Sequence, residues 1–493
     1  NSNKLSKQDL MNLEIIAMKK ERRLAIQWGI TFLIIFPVLI ILGLILNIGQ
    51  GELMKLLLKN FYALMTLHGL GMAGILFSMS LAAIWYLISS RFIQLNIRIG
   101  NILYYITLTG FIGLTAGTLL GKLGSGWNIL YPLTFKDPTW YSWSIPVSVL
   151  SLILMCIAWL IASFHILFSL VKYYGGFFKI LGWNYFKKPK TENMPPIVLI
   201  SSISLIAGII GILIGMALLI IYFFQSFEKV LSFDSWLLKN MGTFFGDTIL
   251  LVTLFNLSTI VYCLMPGITR RKWKVNRLMV ISWNFTFFLF LLACFFHIFL
   301  ALPHSFYIQL LGDITSNLIA IPALVITIQG VFLQVYKSSI KWKIVPLLLL
   351  FGVGGWAIGS FTTLINSSYA MNQVLNDTLW VPAEFHSFSL LGFVLFILAF
   401  LMQLLANEKT QKRFEKVTKT GFWIFILGSC GFLLLLFIGG INSIPRAYAR
   451  YTGMGIKSMH TMSVSLAQLS VFFIVLILAG LLMMYISLFA RLR

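Results

Sequence analysis

Charge is what this 493-residue chain has least of: Asp, Glu, Lys and Arg together make up 10% of it. Acid is the scarcer sign, with 14 Asp and Glu against 37 Lys and Arg. A chain that is 59% hydrophobic with so few charges cannot cover a water-exposed surface. Cysteine is almost absent. Cys156, Cys263, Cys294 and Cys430 all fall inside apolar runs and form no C-x-x-C pair. They read as small core residues, with no disulfide framework and no thiolate metal site. There is no stretch long enough for an independent soluble domain, no internal repeat and no low-complexity segment. A cleavable signal peptide is not expected either; Ala25–Leu46 reads as a first spanning helix behind a basic tail over 1–27.

What the chain does have is long apolar runs. Many exceed the roughly 20 residues that a helix needs to cross about 30 Å of hydrocarbon. Membrane barrels are excluded, because their strands alternate and run for only about ten residues. The fold class is therefore all-α and polytopic. Twelve spans are expected, near 28–47, 61–89, 100–121, 144–171, 196–225, 240–265, 278–301, 309–336, 344–366, 379–406, 421–441 and 459–490. Residues 28–493 then form one transmembrane domain.

A net charge of +23 suits a nucleic-acid partner until its distribution is counted. With the N-terminus inside, inner segments hold 28 Lys and Arg and outer loops hold 9. That asymmetry is the positive-inside rule, so both termini are expected in the cytoplasm and the natural partner is the lipid bilayer, not nucleic acid. Even-numbered spans then run from outside to inside.

Two histidines occupy matched positions. His68 is seven residues into the run from Phe61, and His386 is seven residues into the run from Leu379. At 1.5 Å per residue both lie roughly 10 Å inside the bilayer on the outer side. Two imidazoles facing each other at one depth are what a planar haem needs between helices; two unrelated packing histidines are the alternative. Glu384 is two residues before His386, about 200° away around the helix, so the tenth span can serve two sites at one level. A helix-start carboxylate hydrogen-bonded near the interface is the bland reading for Glu384. No Asp or Glu falls in the central or inner half of any expected span, which leaves no carboxylate-lined route from the cytoplasm.

The surrounding residues resemble subunit I of the haem–copper oxidase superfamily, and of its B-type branch in particular. Leu67-His68-Gly69, with Met72, looks like the first low-spin haem ligand motif. The stretch from Asn376 to His386 resembles the family's N-T-x-W-V-x-G-H-F-H helix. Gly124-Ser125-Gly126-Trp127 with Tyr131-Pro132-Leu133 is similar to its G-x-G-W…Y-P-P-L loop. Pro445-Arg446-Ala447-Tyr448 looks like P-R-R-Y, and Ile319-Ala320-Ile321-Pro322 fits I-A-V-P of the eighth helix. The motifs keep the family's order over nearly the whole chain.

The departures are specific. The family's high-spin haem hangs on the first histidine of H-F-H, and Glu384 stands there. Its copper takes a histidine from G-H-P-x-V-Y on the sixth helix; here Phe255 to Tyr262 contains none. Its other copper ligands are adjacent histidines on the seventh helix, replaced by Phe296-His297. The resemblance therefore implies one low-spin haem of open type on His68 and His386, with Arg446, Arg450 and Trp127 at its propionate and electron-entry side. It implies no copper: about three imidazole-like ligands are needed and one remains. Phe255 and Phe296 are expected to fill the vacated space. The favoured reading is an electron-transfer subunit in the plasma membrane of a prokaryote. Its partners would be other membrane subunits of a respiratory complex and an external donor or acceptor subunit on the outer face. The second reading is a terminal oxidase or nitric oxide reductase with Glu384, His297 and Tyr262 as non-standard catalytic groups. A cofactor-free scaffold is the third.

Overall fold

The computed structural model describes residues 7–126, 137–187, 194–227, 233–299, 305–319, 321–451 and 457–492. All regular elements among them are helices, apart from one antiparallel bridge between Thr378 and Pro445. The long ones are α1 (Lys7–Gln50), α2 (Leu58–Ser89), α3 (Ile97–Thr115), α4 (Ser144–Tyr174), α5 (Pro196–Gln225), α6 (Ser235–Thr269) and α7 (Arg277–Phe299). They are followed by α8 (Phe306–Leu318), α9 (Ile321–Val335), α10 (Ile344–Ser367), α11 (Trp380–Leu404), α12 (Glu408–Ile441) and α13 (Lys457–Leu492). Among the described residues ten helices are long and apolar enough to cross a membrane, and two more, Arg277–Ala293 and Ile321–Val335, are apolar but shorter.

Local sequence sets the helix ends. The Asp234 carboxylate accepts the backbone N–H of Trp236 and Leu237 and caps α6. Asn407 caps α12 in the same way through Lys409 and Thr410. Gly175, at φ 74°, closes α4 in the left-handed conformation. Two boundaries differ from the sequence expectation. The eighth span, expected unbroken over 309–336, is divided into α8 and α9. Pro322 is the second residue of α9, within the first turn, where its missing N–H is harmless. The first helix also begins well before residue 28: α1 runs 44 residues without a break, and residues of the expected tail are part of it. Glu21 is therefore not a tail carboxylate. It is 3% exposed, lies within α1 and is hydrogen-bonded to the Ser89 hydroxyl and the Leu95 backbone N–H.

Three helices form the centre. The apolar stretch of α11 is 94% buried, and those of α2 and α6 are 89% buried, against 39% for α13. Buried hydroxyls and amides lock this centre: Ser204 of α5 donates to Asn256 Oδ1 at 2.6 Å, and Asn256 Nδ2 donates to Ser80 Oγ of α2 at 2.9 Å. In a membrane, helices gain little from burying apolar surface, so such bonds and close backbone approach carry more of the association. The crossing of α12 and α13 uses close approach. A Cβ on Gly480 would stand 2.4 Å from the Phe425 backbone nitrogen and 2.5 Å from the Gly421 carbonyl oxygen. Neither neighbour is a flexible side-chain tip that can swing aside. Gly480→Val is expected to destabilise the bundle by about 1–3 kcal/mol, read as a lowered thermal midpoint in detergent; an unchanged midpoint would show that the two helices separate freely.

Candidate functional site

His68 and His386 face one another. Their ring centres are 6.1 Å apart with 19° between the planes. An imidazole–metal bond is about 2.0–2.1 Å and each ring centre lies about 1 Å behind its nitrogen, so two coaxial imidazoles on one metal have centres roughly 6 Å apart. Direct ring stacking would bring them closer than this.

The orientation of each ring is fixed by its other nitrogen. His68 Nδ1 is 2.7 Å from the Leu39 carbonyl oxygen of α1, and His386 Nδ1 is 2.7 Å from the Pro382 carbonyl oxygen one turn back in α11. A carbonyl only accepts, so both Nδ1 atoms carry the proton and both Nε2 atoms present a lone pair. That is the arrangement of a metal-ligating histidine held by its outer partner. Gly43, one turn after Leu39, gives the His68 ring its place: a Cβ there would stand 2.9 Å from Cε1. On the other side, the Phe432 ring meets His386 edge-on at 5.4 Å. Immediately after His386 the helix widens into a π-helical segment, Ser387–Val394, a distortion that recurs at functional sites.

Both histidines line one cavity of about 290 Å³. Its walls are apolar, with Ile40, Phe61, Met65, Met72, Phe385 and Leu436 among them, and Arg446 closes one end. Arg446 Nη2 lies 3.3 Å from Asp377 Oδ1, and its backbone N–H bonds the Asp377 carbonyl at 2.9 Å. The loop before α13 is thus stitched to the start of α11, which bears His386. Arg450 behaves differently. It donates to the Leu56 carbonyl oxygen at 3.2 Å and is not among the cavity-lining residues, so of the two arginines named from the sequence Arg446 is the one that borders the cavity. Trp127 lies outside the described residues. Gly126 before it donates its N–H to Thr66 Oγ1 at 2.8 Å, which ties that loop to α2 two residues from His68.

Sequence reasoning missed the contribution of α1. Leu39, Gly43 and Asn47 are spaced by four and share one face; the first holds the His68 ring and the others line the cavity beside it. A glycine and an asparagine four apart inside an apolar run were the available signal.

Glu384 points elsewhere, as its angular offset from His386 requires. Its Oε1 accepts from the Thr363 hydroxyl at 2.6 Å and its Oε2 from Asn366 Nδ2 at 3.3 Å, both on α10. The expected copper region holds rings: Phe255 is fully buried and meets Trp283 edge-on at 5.2 Å, and the Tyr262 hydroxyl bonds Thr327 Oγ1 at 2.8 Å. The side chains of Phe296 and His297 lie outside the described parts. Among the described residues no three His, Cys, Asp or Glu side chains gather as a metal site. Filling is incomplete, however. The cavity that holds the two histidines also reaches α4, α5 and α6 at Trp159, Tyr222, Lys239, Thr243 and Ile249. Bulky residues therefore close the space around Phe255 and leave a lobe open beside it. His165 and His460 serve local structure: one accepts the Asn96 N–H, the other is 3.1 Å from Glu52. Removing the Thr363 hydroxyl leaves Glu384 short of a donor. Thr363→Val is expected to lower stability by about 1–3 kcal/mol, while Glu384→Gln with Thr363 intact has a smaller effect; equal midpoints for all three proteins would refute the contact.

Comparison with known proteins agrees with this architecture. A cryo-EM structure of a heme-copper terminal oxidase dimer is similar to this chain with a TM-score of 0.69 and 16% identity, over 97% of this chain and 84% of that chain. At that identity the likeness is one of fold. Residues 23–472 match the family model described as cytochrome C and quinol oxidase polypeptide I. With nearly all of its helices inside that match, the chain belongs to the cytochrome c and quinol oxidase polypeptide I family.

Proposed function

We propose that this chain is a haem-bearing electron-transfer subunit of a respiratory membrane complex, with one bis-histidine low-spin haem and without the family's standard oxygen-reduction centre. The observation that carries the reading is the pair of imidazoles 6.1 Å apart, each with Nδ1 committed to a carbonyl. His68 and His386 would hold the iron, the apolar walls would exclude water from the ring, and Arg446 would meet a propionate. A haem so ligated supplies one-electron exchange and has no free coordination position for a gas. The rings of Phe255 and Trp283 in the copper region, and the engagement of Glu384 with α10, favour loss of the second centre. The open lobe against α4–α6 favours the other reading, a terminal oxidase or nitric oxide reductase using Glu384, His297 and Tyr262. The charge distribution supports cytoplasmic termini in a prokaryotic plasma membrane. It also puts the Arg446 end of the cavity on the outer face, where a donor or acceptor subunit would dock.

A pyridine haemochrome spectrum with iron and copper analysis separates the readings. One haem per chain and no stoichiometric copper is expected; two haems, or copper with a photolysable carbon monoxide adduct, would establish the second reading. His68→Ala and His386→Ala are each expected to abolish the low-spin α-band. Arg446→Ala keeps the band and lowers the haem potential, because a cation beside a propionate favours the reduced iron.

A further inference from the structure

A groove of about 790 Å³ lies between the first turns of α12 and the last turns of α13. Its α12 side presents Lys409, Arg413 and Phe414. Lys409 and Arg413 are one turn apart, so two like charges share one face of the helix. Lys409 also stands in the first turn, where the helix dipole disfavours a cation. Neither has an ion-pair partner among the described residues, whereas Lys419 on the same helix has Glu415 at 2.9 Å. Arg413 Cζ lies 5.3 Å from the centre of the Phe414 ring, a contact that steers the guanidinium without neutralising it. An anion in the groove would offset the repulsion. The α13 side is an apolar stripe. Leu482, Ile486 and Phe489 recur at the spacing of one helix face and are 53%, 49% and 43% exposed. The stripe is roughly 10 Å long. It belongs to a helix long and apolar enough to cross a membrane, so its natural neighbour is an acyl chain. Tyr485 lines the same groove and meets Phe489 edge-on at 6.1 Å. It is 2% exposed, yet its hydroxyl has no hydrogen-bond partner in the chain. A buried hydroxyl left bare is rare, and a phosphate or ester oxygen would supply the acceptor.

From this we infer that the groove binds one anionic glycerophospholipid, with its phosphate between Lys409 and Arg413 and an acyl chain along Leu482, Ile486 and Phe489. Cations joined to an exposed stripe of a membrane helix match an amphiphile; an acidic segment of another protein would meet the cations and leave the stripe uncovered. Two cations favour a headgroup of net negative charge over a zwitterion, whose own ammonium they repel. A lipid so placed joins the start of α12 to the end of α13, just beyond the close approach of Gly421 and Gly480. The inference does not depend on what the histidine cavity holds.

The chain carries its own control. Lys412 and Lys416 stand on the same turns of α12 and do not line the groove. Native mass spectrometry of the full chain, delipidated in detergent and titrated with phosphatidylglycerol or phosphatidylcholine of matched chains, counts the lipid retained. Phosphatidylglycerol is expected to bind at a concentration at least tenfold lower than phosphatidylcholine. Lys409→Gln with Arg413→Gln should erase that difference; Arg413→Gln alone, for use if the double variant does not fold, should reduce it at least threefold. Lys412→Gln with Lys416→Gln removes the same charge and should leave the difference intact. Ile486→Ala with Phe489→Ala should weaken retention of both lipids, and millimolar inorganic phosphate should not displace phosphatidylglycerol. Equal retention of the two lipids, or of neither, would overturn the inference and leave the groove to another chain. Equal losses in the groove and control variants would overturn it too, and displacement by inorganic phosphate would reduce the site to one for a simple anion.

Discussion

Two hydrogen bonds, each from an imidazole Nδ1 to a backbone carbonyl, set the geometry on which the centre of the molecule depends. They hold His68 against α1 and His386 against its own helix at 2.7 Å. In water such bonds are weak net contributors, because the free ring would bond solvent instead. Within a bundle there is no competing solvent, and an unmet ring nitrogen would be costly. The bonds therefore select the tautomer, and the tautomer determines what the cavity between the rings can hold. The neighbouring adjustments follow from this: a glycine at 43 to admit the ring, a phenylalanine at 432 to brace the other, and a widened helical turn after His386.

The loop before α13 serves the same end. A strand-like bridge between Thr378 and Pro445, and bonds from Leu379 N–H to the Ile444 carbonyl and from Arg446 N–H to the Asp377 carbonyl, fasten one loop to the start of α11. Arg446 thereby reaches the cavity as a fixed group and not as a long cation free in solvent. Ala447 follows at φ 64°, a conformation that disfavours any residue with a Cβ. The loop accepts that strain where it turns into the cavity mouth, which is where strain is usually retained.

Much of this was legible in the chain. The all-helical, membrane-spanning character is written in run length, because hydrocarbon thickness acts on each segment separately. The meeting of His68 and His386 was legible for a related reason: a polar ring at one depth in two apolar runs has few uses other than facing its counterpart. What was not legible depended on contacts between segments. The break before Pro322 was hidden because hydropathy continues across it. Glu21 was hidden because a charged, hydrophilic stretch continues as helix once α2 and the following turn give its carboxylate donors. The different fates of Arg446 and Arg450 could not be read from a loop in which both look alike; they depend on which carbonyls of other helices lie within reach. The packing around Phe255 was half legible. Phe255 could be named as a filler, but its partner Trp283 and the open lobe beside them depend on how α4, α5 and α6 pack.

The division of labour along α11 follows from helix geometry alone. His386 and Glu384 sit at one level, and a step of two residues turns them to opposite sides. One faces α2 across the cavity, and the other faces α10 and its two donors. A change at one position therefore need not disturb the other. The two faces of α11 can thus make different contacts at one level. The carboxylate is tolerated because Thr363 and Asn366 are one turn apart and both reach it. An aliphatic side chain in place of Glu384 would remove the acceptor that Asn366 Nδ2 bonds, while Thr363 would keep the Gly359 carbonyl at 2.9 Å, so the three polar residues depend on one another unequally. As a set they lie on the face away from the histidines, which keeps their polar contacts apart from the cavity between the rings.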